Sequence, residues 1–98
     1  MIRVIIPSQL GSLSDAPREV ELLIAAPVTQ RRILDALEFA YPSLRGMLRD
    51  ASTKQRRPMI RFFVAEEDIS HEDADAELGA NVASGKEPFW IIAAISGG

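Results

Sequence analysis

With 98 residues, 47% of them hydrophobic and 26% charged, the chain has the size and composition of one soluble domain, long enough for one core and too short for two. It contains no cysteine, which excludes disulfides, thiolate metal sites, persulfide relays and cysteine nucleophiles. A formal net charge of -3 argues against a general grip on nucleic acid, which needs many phosphates neutralised by Lys and Arg.

Residues 1–6 are β-rich, and Pro7-Ser8 with Gly11-Ser12 supply turn residues behind them, so a first strand and a chain reversal are expected. Pro7 closes this opening apolar run early and no basic segment precedes it, so no signal peptide is read and a cytoplasmic location is expected. In residues 19–24, Val20, Leu22 and Ile24 alternate with Glu19, Glu21 and the exception Leu23, the period of a strand with one buried face. The two strands make a hairpin.

Behind Thr29, a suitable N-cap, Ile33, Leu34, Leu37, Ala40 and Tyr41 fall at helical spacing. Pro42 ends this amphipathic helix, and Leu44, Met47 and Leu48 suggest a short turn packed under the core. Residues 59–65 read as a third strand, with Pro58 at its edge and Ile60, Phe62 and Val64 on one face. Residues 66–77 hold seven carboxylates among twelve positions, which reads as a solvated loop with a short strand or turn around Ile69 and Leu78. Residues 89–95, Phe-Trp-Ile-Ile-Ala-Ala-Ile, are apolar without alternation, as in a central strand covered on both faces. The run is far shorter than the ~18 residues of a membrane span. This order predicts an α+β domain over residues 1–95. Its mixed sheet has four to five strands, one main helix packs on one face, and the layout is that of a β-grasp. Residues 96–98 form a tail.

Most catalytic constellations lack parts. His71 is the sole histidine, beside Glu72 and Asp73 in sequence rather than on one helical face, so a solvated loop histidine is favoured over a metal ligand. No Gly-x-Ser-x-Gly elbow occurs, and the glycines at 79 and 85 are followed by neither Gly-Lys-Ser/Thr nor a helix start. The basic stretch containing Arg45, Arg49, Lys54, Arg56, Arg57 and Arg61 reads as a solvated loop, with a docking patch for an acidic partner as the alternative.

The ending is left. Two final glycines arise by chance in about half a per cent of chains at ~7% glycine usage. Ser96, Gly97 and Gly98 have no apolar side chain to bury and are expected to project from the last strand. Without a Cβ, glycine passes through a narrow channel and takes torsions closed to other residues, so a partner enzyme can reach the terminal carboxylate. From the terminus alone, an inert frayed tail is an equal alternative.

The run Ile91-Ile92-Ala93-Ala94-Ile95-Ser96-Gly97-Gly98 resembles the ending of the MoaD/ThiS sulfur carriers of the ubiquitin-like β-grasp superfamily. The stretch from Ile60 to Ile69 and the helix carrying Leu34, Leu37 and Tyr41-Pro42 fit the same pattern more loosely. Two departures stand out: Ala65 where many relatives carry Asn, and Ser84-Gly85-Lys86-Glu87-Pro88 in place of an Asp-Gly-Asp-Glu turn. The resemblance implies that the chain is not an enzyme and binds no cofactor of its own. An E1-like adenylyltransferase would use ATP to adenylate Gly98, and a sulfurtransferase would convert it to a thiocarboxylate. Gly97, Ser96 and Ile95 would enter the partner. The sulfur would go to an acceptor such as the molybdopterin synthase large subunit, with thiazole synthesis or another thiolation pathway as alternatives. A protein modifier joined to lysines through Gly98 and an inert interaction module are the competing classes.

Overall fold

The computed structural model describes residues 1–94. The alternation read from the sequence is realised in β1 (Ile2–Ile5) and β2 (Glu19–Leu22), which pair antiparallel with Ile2 opposite Leu22 and Val4 opposite Val20. These four side chains are buried on one face of the sheet, and Arg3, Glu19 and Glu21 point to the other. The link between the strands is a helix, α1 (Ser8–Ser14), where the sequence reading expects only a turn. Its seven residues bury just Leu10 and Ser14, too few to print a helical period. Pro7 leads in with φ -67, and Asp15 at φ 62 ends it.

The main helix, α2 (Gln30–Ala40), starts as predicted. Thr29 Oγ1 accepts the Arg32 N–H at 3.1 Å, satisfying one orphan donor of the first turn. Ile33, Leu34 and Leu37 face the sheet with at most 1% exposure, while Phe39 on the opposite side stands in solvent. The helix stops before Pro42, and a single 3₁₀ turn (Pro42–Leu44) drops Leu44 into the core, with Leu48 following.

The segment after it is held by a buried ion pair. The Arg49 guanidinium donates through Nε and Nη2 to the two Glu38 oxygens, both at 3.0 Å, and through Nη2 to Asp35 at 2.8 Å. Arg49 and Glu38 are both nearly inaccessible. Burial works against the charged guanidinium, but the hydrogen bonds to Glu38 and Asp35 outweigh it and hold its pKa above the ordinary value. The sequence reading groups Arg49 with solvated cations; the fold makes it a strut between α2 and the loop.

β3 (Ile60–Val64) turns into β4 (Glu67–Asp68) through Ala65 and Glu66, with φ values of 50 and 68. Two consecutive left-handed residues are the geometry of a tight two-residue hairpin. Neither is Gly or Asn, so the hairpin is not legible in sequence. A four-residue helix, α3 (Ala80–Ala83), follows Gly79, correcting the reading that no helix starts there. It leads to Gly85, whose φ of +83 and close approach to the Met1 carbonyl leave no room for a Cβ.

β5 (Phe89–Ala93) completes a five-stranded sheet of order β2-β1-β5-β3-β4, parallel to β1 and antiparallel to β3. With α2 laid on one face, this is the β-grasp layout predicted from element order. The core closes between sheet and helix around Phe62 and Phe89, whose ring centroids lie 5.4 Å apart. One expectation fails: β5 is central but covered on one face only. Phe89 and Ile91 are buried, whereas Trp90 and Ile92 are 37% and 38% exposed, so the face opposite α2 stays partly open along β5.

Candidate functional site

The residues assigned the carrier chemistry, Ile95, Ser96, Gly97 and Gly98, lie outside the described residues. The chain leading to them is well placed. Ala93 ends the central strand, and the Ala94 N–H donates to the Met59 carbonyl at 2.7 Å, so the tail leaves from a backbone tied on the β3 side. On the β1 side, the exit lies beside the segment from Ile6 to Ser8, and the Ile6 N–H is held by the Arg18 carbonyl at 2.7 Å.

The open sheet face reaches up to this exit. Register places Ile5 opposite Trp90 and Trp90 opposite Phe63, an apolar row across three strands, with Ile92 and Arg61 paired in the next row toward the tail. Each side chain shares this face because it alternates with a core residue: Ile5 with Val4, Trp90 with Phe89, Phe63 with Phe62. Two shallow hollows of about 260 and 350 Å³ flank the Trp90 and Ile92 ridge. Both open to solvent, and a ridge between shallow hollows suits a protein surface better than an enclosed small molecule. Sequence reasoning missed this face. The signal was present in Trp90 and Ile92, but which alternate residues of an apolar strand are covered depends on where the helix lies.

The other residues singled out from sequence are dispersed. His71 is exposed and its Nε2 lies 3.0 Å from Arg61 Nη1, a donor only, so Nε2 is the acceptor. Among the described residues no group of three or more His, Asp or Glu side chains is arranged to hold a metal ion. Among the carboxylates of residues 66–77, Asp68, Asp73 and Asp75 serve local structure. Asp68 accepts from Ser70, which holds its pKa below the ordinary value, and Asp75 is lowered by its ion pair with Arg31. The basic stretch is divided as well. Arg49 is buried, Arg57 donates to the Gly46 carbonyl at 2.8 Å, and Arg56 Nη1 donates to the Ile60 carbonyl at 2.7 Å. A polar hollow of about 590 Å³ lies between Lys54, Arg56 and His71, and its lining mixes both signs of charge.

Solved structures share this fold over the whole chain. One is the BexX/CysO complex of Amycolatopsis orientalis, at a TM-score of 0.74 and 22% identity, covering 100% of both chains. Another is SAMP1, small archaeal modifier protein 1, of Haloferax volcanii, at 0.73 and 20%, covering 98% of this chain and 97% of that one. CysO of Mycobacterium tuberculosis, an antigen, matches at 0.72 and 21%, covering 97% and 100%. No protein-family model and no curated protein sequence matches. At these identities the likeness establishes the fold, a ubiquitin-like β-grasp.

Proposed function

We propose that the chain is a sulfur carrier of the MoaD/ThiS kind, a co-substrate rather than a catalyst, whose working group is the Gly98 carboxylate. The observation that carries this reading is the central strand running into Ser96-Gly97-Gly98 from a backbone anchored at Ala94, next to an open apolar face. Likeness of fold to CysO and to an archaeal modifier supports it.

The chemistry asks little of the carrier. A carboxylate is a poor acyl electrophile, so an E1-like partner joins a Gly98 oxygen to the α-phosphate of ATP and releases pyrophosphate. A persulfide on a sulfurtransferase then attacks the acyl carbon and displaces AMP, and a second thiol cleaves the S–S bond of the resulting acyl disulfide, leaving the thiocarboxylate on Gly98 and a disulfide on the donor side. The carrier supplies the presentation: a small-residue tail that fits a channel and a rigid domain that sets its direction. The acceptor we assign is a molybdopterin synthase large subunit, on the chain length and the extended segment 45–57. ATP belongs to the activating partner.

Intact mass spectrometry after co-expression with an E1-like enzyme and a sulfur source tests the reading. One oxygen exchanged for sulfur at Gly98 is expected, and deletion of Gly98 abolishes it while the fold persists. An unmodified terminus, with the enzyme active on a control carrier, removes the reading. Likeness to a protein named a modifier favours one second reading, conjugation through Gly98 to lysines; lysine-linked adducts in cells would identify it.

A further inference from the structure

The polar hollow of about 590 Å³ is walled by three segments: the first turn of α2 at Gln30 and Arg31, the loop at Lys54 and Arg56, and the loop at His71 and Glu72. Its size is that of a small-molecule site. Gln30 is only 7% exposed, yet among the described residues its side-chain amide makes no hydrogen bond, and neither amide atom is sealed from water. Of the hollows described, Gln30 borders this one alone. A glutamine buried to this extent ordinarily has its amide paired within the protein. Here that capacity is left for something that enters the hollow.

Arg56 repeats the pattern. Its Nη1 donates to the Ile60 and Arg57 carbonyls at 2.7 and 3.1 Å, which fixes the guanidinium, while among the described residues Nη2 has no partner and Nε is buried without one. Lys54 Nζ lies 3.8 Å from Glu38, whose two oxygens already accept from Arg49, so this ammonium is loosely held. His71 Nε2 accepts from Arg61, leaving Nδ1–H as the donor of that ring. The first turn of α2 adds the positive end of a helix dipole. Opposing charge is present but partly engaged. Asp75 pairs with Arg31, Asp35 and Asp73 act on Arg31 at longer range, and Glu72, the one carboxylate in the lining, is exposed.

We propose that this hollow binds a phosphate group, as the free ion or on a small phosphomonoester. Lys54 and Arg56 Nη2 supply charge-assisted hydrogen bonds and the Gln30 amide a neutral one. A tetrahedral oxyanion suits the lining because its oxygens accept from several sides, and the donors here stand on separate segments of the chain. A carboxylate, planar and with two oxygens, would leave one wall unanswered. The site is independent of the carrier reading: it uses none of residues 95–98 and assigns a ligand to the folded domain itself.

The test is titration of the isotope-labelled full chain, followed by NMR amide shifts, with inorganic phosphate, with glycerol 3-phosphate and, at matched ionic strength, with sodium chloride. The amides of Gln30, Lys54, Arg56 and His71 should shift together and saturate with phosphate and stay still with chloride. Tighter binding of the ester assigns the group to a phosphomonoester, and equal or weaker binding to the free ion. Lys54→Asn suits the left-handed φ of 63 at this position, and it should weaken binding about tenfold. Gln30→Met keeps the side-chain length and removes the amide. It should weaken binding about fivefold, with the melting temperature unchanged or higher because no protein partner is lost. Absence of saturation below about 50 mM phosphate, or equal shifts with chloride, overturns the site. So does a Gln30→Met variant that melts lower and binds within about twofold of the wild type, since the amide would then serve the fold alone.

Discussion

The two faces of the sheet are built from the same kinds of residue and do opposite work. Along β5 the sequence Phe89, Trp90, Ile91, Ile92 is uniformly apolar, yet exposure runs 0%, 37%, 1%, 38%. The face under α2 is closed: Phe62, Phe89, Ile33 and Leu37 leave nothing accessible and hold the domain together. The other face keeps Trp90, Ile92 and Phe63 at the surface in a row leading to the tail. Apolar burial on one side supplies stability, and incomplete burial on the other leaves hydrophobic free energy to be gained by a partner.

The comparison breaks most sharply at paired substitutions. Phe62→Ala removes a fully buried ring that packs on Phe89 and should cost about 3–5 kcal/mol in urea unfolding, while molecules that remain folded still bind the activating partner. Ile92→Thr keeps the β-branched shape suited to a strand. It should cost about 1 kcal/mol or less, yet depress adenylation at limiting enzyme. Equal stability losses for the two variants would mean that the faces are not divided in this way.

A smaller effect concerns what braces the closed side. Arg49→Met leaves the buried Glu38 with only Lys54 Nζ, at 3.8 Å, and should destabilise by roughly 3 kcal/mol, whereas Arg49→Met with Glu38→Met should recover most of that, since a well-packed apolar pair replaces both charges. Denaturant melts of the single and double variants decide it. Failure of the double variant to recover would show that the charges themselves, rather than their mutual satisfaction, position the loop.

The smallest effect lies in the loop beyond. The Asp50 carboxylate accepts the Ser52 and Thr53 N–H groups, both at 2.9 Å, and the Thr53 and Ser52 backbone bonds hold its pKa below the ordinary 3.8. A depressed carboxylate pKa contributes stability that is fully present above the unfolded value and is lost as pH falls through the folded one. Asp50→Asn should therefore lower the melting temperature slightly at pH 7, with the difference from wild type disappearing as pH drops below about 4. A difference that persists at low pH would trace the effect to geometry rather than charge.

Much of this architecture is legible along the chain because it is written in local periods. Alternation in residues 19–24, helical spacing behind Thr29, and Pro42 as a stop each act over a few residues. α1 and the β3–β4 hairpin were not legible, for a shared reason. α1 buries too few side chains to show a period, and the hairpin places Ala65 and Glu66 in left-handed conformations that their side chains do not announce. Arg49 shows the same limit for charge, since nothing in a basic stretch marks which cation will meet a buried glutamate.

The amino-acid sequence by itself determined the order of the main strands and the main helix, the β-grasp class and the small-residue ending at Gly98, because these depend on residue type and near-neighbour spacing. Tertiary structure decided which face of β5 stays open and that Arg49 is a strut. Those outcomes depend on which distant segments meet, and a sheet with a helix on one side must leave its alternate side chains to water or to a partner.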